Sequence, residues 1–211
     1  MSFTSTYYRG HDVLTEMPNA HEDRDESETI VSDLLDNAIG QVAISRAWAG
    51  PVLARPWVFT LTDRTALNDF LAWCALRRGA YNELWVPTWR RDFQLVGDQD
   101  ASDTELLVDA TGYTATQFAS ESRRHLAIMT QGGGTRTITC RRITDAVDNE
   151  DGTETITIES AVGIALDRHA QLSFLVLSRL ESDDLPIQYH HLGLAEVAVR
   201  FVEIPRQVEA A

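Results

Sequence analysis

Between Arg55 and Val96 the hydrophobic pattern changes from strand-like alternation to a helical repeat and back again. That change limits the fold to one in which a helix is bracketed by strands. Arg55 to Leu61 alternates, with Trp57, Phe59 and Leu61 on one face, and predicts a strand. Thr62 and Asp63 then offer a side-chain oxygen to the orphan N–H groups of a helix's first turn. Leu67, Phe70, Leu71 and Cys74 follow at i, i+3, i+4 and i+7 and predict one apolar stripe. Arg77 and Arg78 suit the negative end of that helix, and Gly79 suits the position just past it. Tyr81 to Val86 reads as a strand again, stopped by Pro87. Four of the five tryptophans (Trp57, Trp73, Trp85 and Trp89) fall in this stretch, which makes it the aromatic centre of the chain.

The flanks are simpler. Phe3 to Tyr8 predicts a short strand, and Pro18-Asn19 a loop. His21 to Glu28 is acidic and free of apolar residues, with Arg24 in its middle, and predicts a solvated loop rather than a cation site. Ile30 to Leu35 is a short apolar segment, Gln41 to Trp48 a weak strand, and Gly50-Pro51 a turn. Beyond Val96, the polar run Gly97 to Asp103 precedes a short apolar segment, Leu106 to Val108, and a turn at Thr111-Gly112-Tyr113.

From there five runs read as strands: Ala115 to Phe118, Leu126 to Met129, Arg136 to Ile143, Thr153 to Ser160 and Leu172 to Leu180. Asp151-Gly152 is a hairpin signal, and the alternation after it turns Ile156 and Ile158 inward. Short strands with regular turns predict a small inserted barrel or sandwich. Ile187 to Glu203 is a last alternating run, with Leu194, Val197, Val199 and Phe201, and it needs a sheet in the first half of the chain to join. The expected domains are residues 1–110 with 185–211, and an inserted domain at 111–184.

Candidate chemistry is sparse. His190 and His191 lie near Asp183 and Asp184, the best case for a metal-dependent hydrolase. Neighbouring side chains on a strand point to opposite faces, however, and no HxH or HExxH spacing occurs. Gln131-Gly132-Gly133-Gly134 lacks the lysine and the following helix of a phosphate loop, so it predicts a hairpin turn. Ser120 to His125 holds a serine, a glutamate and a histidine but no nucleophile elbow. Cys74 and Cys140 have no metal-ligand spacing and read as small buried residues. The expectation is no catalytic, cofactor-binding or metal residue. Trp85, Trp89, Arg90 and Arg91, with the helix-end pair Arg77 and Arg78, are the candidates for a subunit interface, since tryptophan and arginine are enriched at such contacts; packing in the core is the alternative for the two tryptophans.

A net charge of −14 argues against a nucleic-acid groove, because binding a duplex draws on cationic contacts to phosphate. It suits a wall past which nucleic acid slides. All 18 basic residues are arginine, which reflects coding bias rather than a demand for guanidinium. The residues after Met1 form no signal peptide, and no stretch is apolar for long enough to span a membrane, so the expectation is a soluble product without membrane insertion.

Two stretches carry a resemblance. FLAWCALRRGAYNELWVPTWRRDFQL and SRLESDDLPIQYHHLGLAEVAVRFVEIP resemble minor tail proteins of long-tailed, siphovirus-type bacteriophages, the distal tail protein above all. The resemblance covers Arg55 to Val96 and Ser178 to Pro205, and loosely the β-rich section between. It implies a mainly β fold: a tail-tube-like β-sandwich or half-barrel with one flanking α-helix, plus an inserted small β-barrel. It implies a homo-oligomer, six copies closing into a ring between tail tube and baseplate or tail tip. Its partners would be the tail tube protein, the tail hub or baseplate protein and the tape measure protein, with DNA only as passing cargo. The implied location is the virion tail, assembled in the host cytoplasm. Another minor tail or tail-assembly role, or the small hydrolase, are the alternative readings.

Overall fold

Apolar and polar side chains alternate along most of the chain, and the protein is mainly β in consequence. A computed structural model describes residues 6–19, 27–29, 32–36, 42–46, 52–132, 135–191 and 194–204. In chain order the first half holds β1 (Thr6–Tyr8), β2 (His11–Val13), β3 (Ser27–Thr29), β4 (Ser32–Asp36), β5 (Val42–Arg46), β6 (Val52–Leu61), α1 (Arg64–Arg77) and β7 (Leu84–Pro87). The second half holds β8 (Glu105–Asp109), α2 (Tyr113–Thr116), β9 (His125–Gly132), β10 (Thr135–Asp148), β11 (Thr153–Ile158), β12 (Gln171–Leu180), β13 (Ile187–His191) and β14 (Leu194–Glu203).

Two compact units divide these elements. One comprises Met1–Thr6, Leu14–Leu84 and Leu177–Ala211; the other comprises Tyr7–Val13 and Trp85–Val176. The sequence set a boundary at 110/111, but β8 pairs with β11 inside the second unit.

In the first unit, β14 lies between β6 and β13, and β3 lies on the far side of β6. The β14–β6 register runs from Ala195↔Leu61 through Val197↔Phe59 and Val199↔Trp57 to Val202↔Ala54. Ser178–Leu180 of β12 pairs with the other end of β14. The last strand therefore joins the strand before the helix, as its apolar character required. The expected single run from Ile187 to Glu203 is two antiparallel strands, β13 and β14. Ser27 and Glu28, the last residues of the expected acidic loop, pair with β6. The rest of that loop and the expected strand at Phe3 to Ser5 lie outside the described residues. β4 and β5 form a separate hairpin.

Helix α1 begins as the sequence predicts: Asp63 is the N-cap, and its Oδ1 accepts from the Ala66 N–H at 2.7 Å. It ends with Arg78 and Gly79 in left-handed backbone. Its buried face differs from the expected stripe. Ala66, Phe70, Trp73 and Arg77 are buried, while Leu67 and Cys74 are half-buried and Leu71 is exposed. The cause is aromatic packing from the sheet: the Phe70 ring centroid lies 6.3 Å from that of Phe59 and 6.0 Å from that of Trp73. The expected strand at Tyr81 shrinks to Leu84–Pro87, because Asn82 serves the helix end. Its backbone N–H donates to Arg77 O and its Nδ2 to Leu76 O.

The second unit orders its strands β1, β2, β7, β12, β9, β10, β11, β8. Phe93, Leu126, Ile143, Ile156, Leu172 and Phe174 are among its core residues. Fully burying each such side chain contributes about 1.5 to 3 kcal/mol. Ile156 and Ile158 face inward as predicted, and Asp151-Gly152 lies at the β10–β11 turn. Ala115 to Phe118 is not a strand. Tyr113–Thr116 is one helical turn, made by a buried carboxylate: Glu154 Oε1 accepts from Thr114 N at 2.9 Å, and its Oε2 accepts from Thr111 N at 3.0 Å and Tyr113 N at 3.4 Å.

Candidate interaction surface

The WVPTW turn is an internal element of the second unit. Trp85 and Trp89 are 2% and 3% exposed. Trp85 Nε1 donates to the Tyr8 carbonyl at 3.0 Å, and the Arg136 guanidinium lies 5.7 Å from the Trp89 ring centroid. The turn is pinned through Asp92: its Oδ2 accepts from Phe174 N at 2.7 Å and from the Thr88 hydroxyl, while Thr88 N donates to Phe174 O at 2.9 Å. Arg90 and Arg91 are exposed. Arg90 Nε approaches Asp92 Oδ1 at 3.5 Å, and Arg91 donates to Gln94 Oε1 at 2.9 Å and His169 O at 3.0 Å.

At the helix end, in the first unit, Arg77 is buried with its guanidinium 5.7 Å from the Trp73 ring centroid, and Arg78 is exposed. Of the six residues singled out from the sequence, Arg78, Arg90 and Arg91 thus reach the surface. The two tryptophans and Arg77 fill the interior of their own units.

A cleft in the first unit lies elsewhere. Directly paired residues on antiparallel strands share a face, so Leu61, Ala195 and Tyr189 form one row across β6, β14 and β13. Leu61 and Ala195 are buried, but Tyr189 is 63% exposed. The row continues past the cover that α1 supplies. The uncovered end is a cleft of about 620 Å³. Leu61, Leu194 and Ala195 floor it, the first turns of α1 wall it with Arg64, Leu67 and Asn68, and Tyr189 and His191 form the opposite rim.

Beside this cleft the sheet is open. Among the described residues β13 pairs with β14 alone and β3 with β6 alone, so each presents an open edge of the first unit's sheet. A strand edge carries a row of N–H and C=O groups that can template another chain. The sequence run Ile187 to Glu203 concealed β13; Gly193, a turn residue in its middle, is the signal that divides it.

The chemistry of the titratable groups is quiet. His190 Nε2 lies 3.0 Å from Glu196 Oε2, and Asp183 Oδ1 accepts from Ala80 N at 2.7 Å, so neither converges with His191. Among the described residues no three His, Cys, Asp or Glu side chains form a metal-ligand group. Burial pushes the Cys74 and Cys140 thiols up to about 12, each against a smaller opposing effect of a nearby arginine, which keeps both protonated and unreactive at neutral pH. No described helix is long and apolar enough to cross a membrane. No protein-family model matches the chain, and no curated protein matches it by sequence.

Proposed function

We propose that the chain is a structural subunit of a bacteriophage tail, a distal tail ring that joins the tail tube to the baseplate or tail tip. The observation that carries the proposal is the pair of edges, β3 and β13, that the first unit's sheet leaves open among the described residues. Neither edge has a partner among the described residues of one copy, whereas identical copies related by rotation can set β13 of one against β3 of the next. Such a head-to-tail contact builds a ring when the rotation closes. The exposed Tyr189 and the cleft beside it supply apolar surface to the same junction. The resemblance of the helix-to-WVPTW stretch and of the C-terminal run to distal tail proteins supports six copies. A chain of net charge −14 suits the wall of a channel through which DNA passes as cargo. In this role the chain works by assembly with the tail tube, tape measure and hub or baseplate proteins, and performs no catalysis.

The test is the mass of the purified protein and of the protein within tails. Closed rings of six copies are the expected result. A strictly monomeric mass at high concentration and in particles overturns the proposal.

A further inference from the structure

The second unit is built from the continuous run Trp85–Val176 and one separate piece, Tyr7–Val13. Within that piece β2 lies next to β7, so the piece covers the edge that β7 would otherwise present. Several contacts fasten it. Trp85 Nε1 donates to the Tyr8 carbonyl at 3.0 Å, Arg9 forms an ion pair with Glu159, and Tyr8 Oη lies 3.0 Å from Nδ1 of His125.

His125 is 0% exposed, and its ring centroid is 4.5 Å from that of Trp85. Its Nε2 is buried without a hydrogen-bond partner among the described residues. The Arg9 guanidinium lies 5.8 Å from the Tyr8 ring centroid. In a neutral imidazole one ring nitrogen carries the hydrogen and the other accepts, so the Tyr8 hydroxyl and Nδ1 can share their hydrogen bond in either direction.

An imidazolium carries hydrogen on both ring nitrogens, so its Nε2–H would be buried with no acceptor among the described residues. The new charge would face Arg9 from the strap and Arg142 from β10. Only Glu121, before β9, and Glu159, after β11, oppose them. We propose that His125 is the catch of an acid-released strap: its protonation frees Tyr7–Val13 from the second unit and leaves the β7 edge open. This inference does not depend on the ring.

Burial first, then Arg9 and Arg142, push His125 down from 6.5 to about 4. A group whose folded value is depressed in this way binds its proton more readily in the released state. The strap is thus held fully above pH 6.5, and its hold weakens as pH falls from 6.5 toward 4. With those two values the released fraction rises about 25-fold between pH 7.5 and pH 5.

Hydrogen exchange on the full chain, corrected for the intrinsic effect of pH, tests the inference. The amides of Tyr7–Val13 are expected to lose about 25-fold protection between pH 7.5 and pH 5 while β9, β10 and β11 keep theirs. His11 and Asp12 lie in the same strap, so a His125→Asn variant, which removes the buried titration along with the ring contact to Trp85, is expected to show no such pH step. If that variant does not fold, NMR titration of the His125 ring in the natural chain replaces it, and its midpoint must coincide with the loss of strap protection. A flat response of the strap, a step that survives His125→Asn, a ring midpoint away from the strap's, or parallel loss of protection in β9 to β11 would each overturn the proposal.

Discussion

The carboxylate of Asp183 occupies the space that a Cβ on Gly79 would need. Gly79 itself sits at φ +63°, in left-handed backbone, and Asp183 Oδ1 accepts from the next residue, Ala80 N, at 2.7 Å. The end of α1 is thus closed by a residue more than a hundred positions away in the chain. Gly79→Ala adds both a strained φ and a clash, and the expected loss is about 1–3 kcal/mol. Asp183→Ala removes one hydrogen bond, a loss of about 1 kcal/mol. The double variant should lose less than the sum, because the clash disappears with the carboxylate. Urea midpoints of the three variants measure this, and strict additivity would refute the shared contact.

Glu154 tests the second unit. Burial alone would raise its carboxyl, but the N–H groups of Thr114, Thr111 and Tyr113 outweigh burial and hold it below the ordinary value. Its contribution is present above the unfolded value and is lost as pH falls through the folded one, so the natural chain should weaken on acidification below about pH 4.5. Glu154→Gln keeps the shape, removes the charge, and should cost about 1.5–3 kcal/mol at neutral pH. Denaturant midpoints at pH 7 and pH 3 should converge between the two proteins as the carboxylate of the natural one is protonated.

The orientation of α1 can be read from two neighbours in sequence. Phe70 is fully buried and Leu71 is 41% exposed. Phe70→Ala should therefore cost about 3–5 kcal/mol, and Leu71→Ala no more than about 0.5 kcal/mol. Comparable losses in thermal unfolding would restore the stripe Leu67, Phe70, Leu71, Cys74 as the buried face.

Tyr189 separates assembly from folding. Its side chain is mostly exposed, so Tyr189→Asp should leave thermal unfolding of the isolated chain within about 0.5 kcal/mol of the natural one. In the proposed ring the same change sets a charge beside a neighbouring strand. The expected outcome is loss of the ring mass in sedimentation while the folded subunit persists; unchanged rings would remove β13 from the contact.

Local chemistry made much of this fold legible. The N-cap at Asp63, the turn at Asp151-Gly152, the inward Ile156 and Ile158, and the need of the last apolar strand for a sheet in the first half of the chain all follow from patterns within a few residues. The misreadings share one cause, contacts distant in sequence. The helical turn at Tyr113–Thr116 exists because Glu154, about forty residues on, collects its N–H groups. The buried face of α1 is chosen by Phe59, and Trp73 takes the place that the pattern gave to Leu71. The edge strand beside the cleft was hidden for another reason. An exposed strand reads like the polar half of any alternation, and only pairing reveals where it ends.

The position of β14 has a consequence for synthesis. The strand at the middle of the first unit's sheet is the last one made, after both β6 and β13. Until Leu194–Glu203 is made, β6 and β13 have no common neighbour, and among the described residues only the β3–β6 pair of that sheet can form. The second unit's core comes from an earlier continuous run and can collapse first, as domains do during translation. Truncated products would thus be left with one folded half and one adhesive half, a form that cellular proteases readily remove.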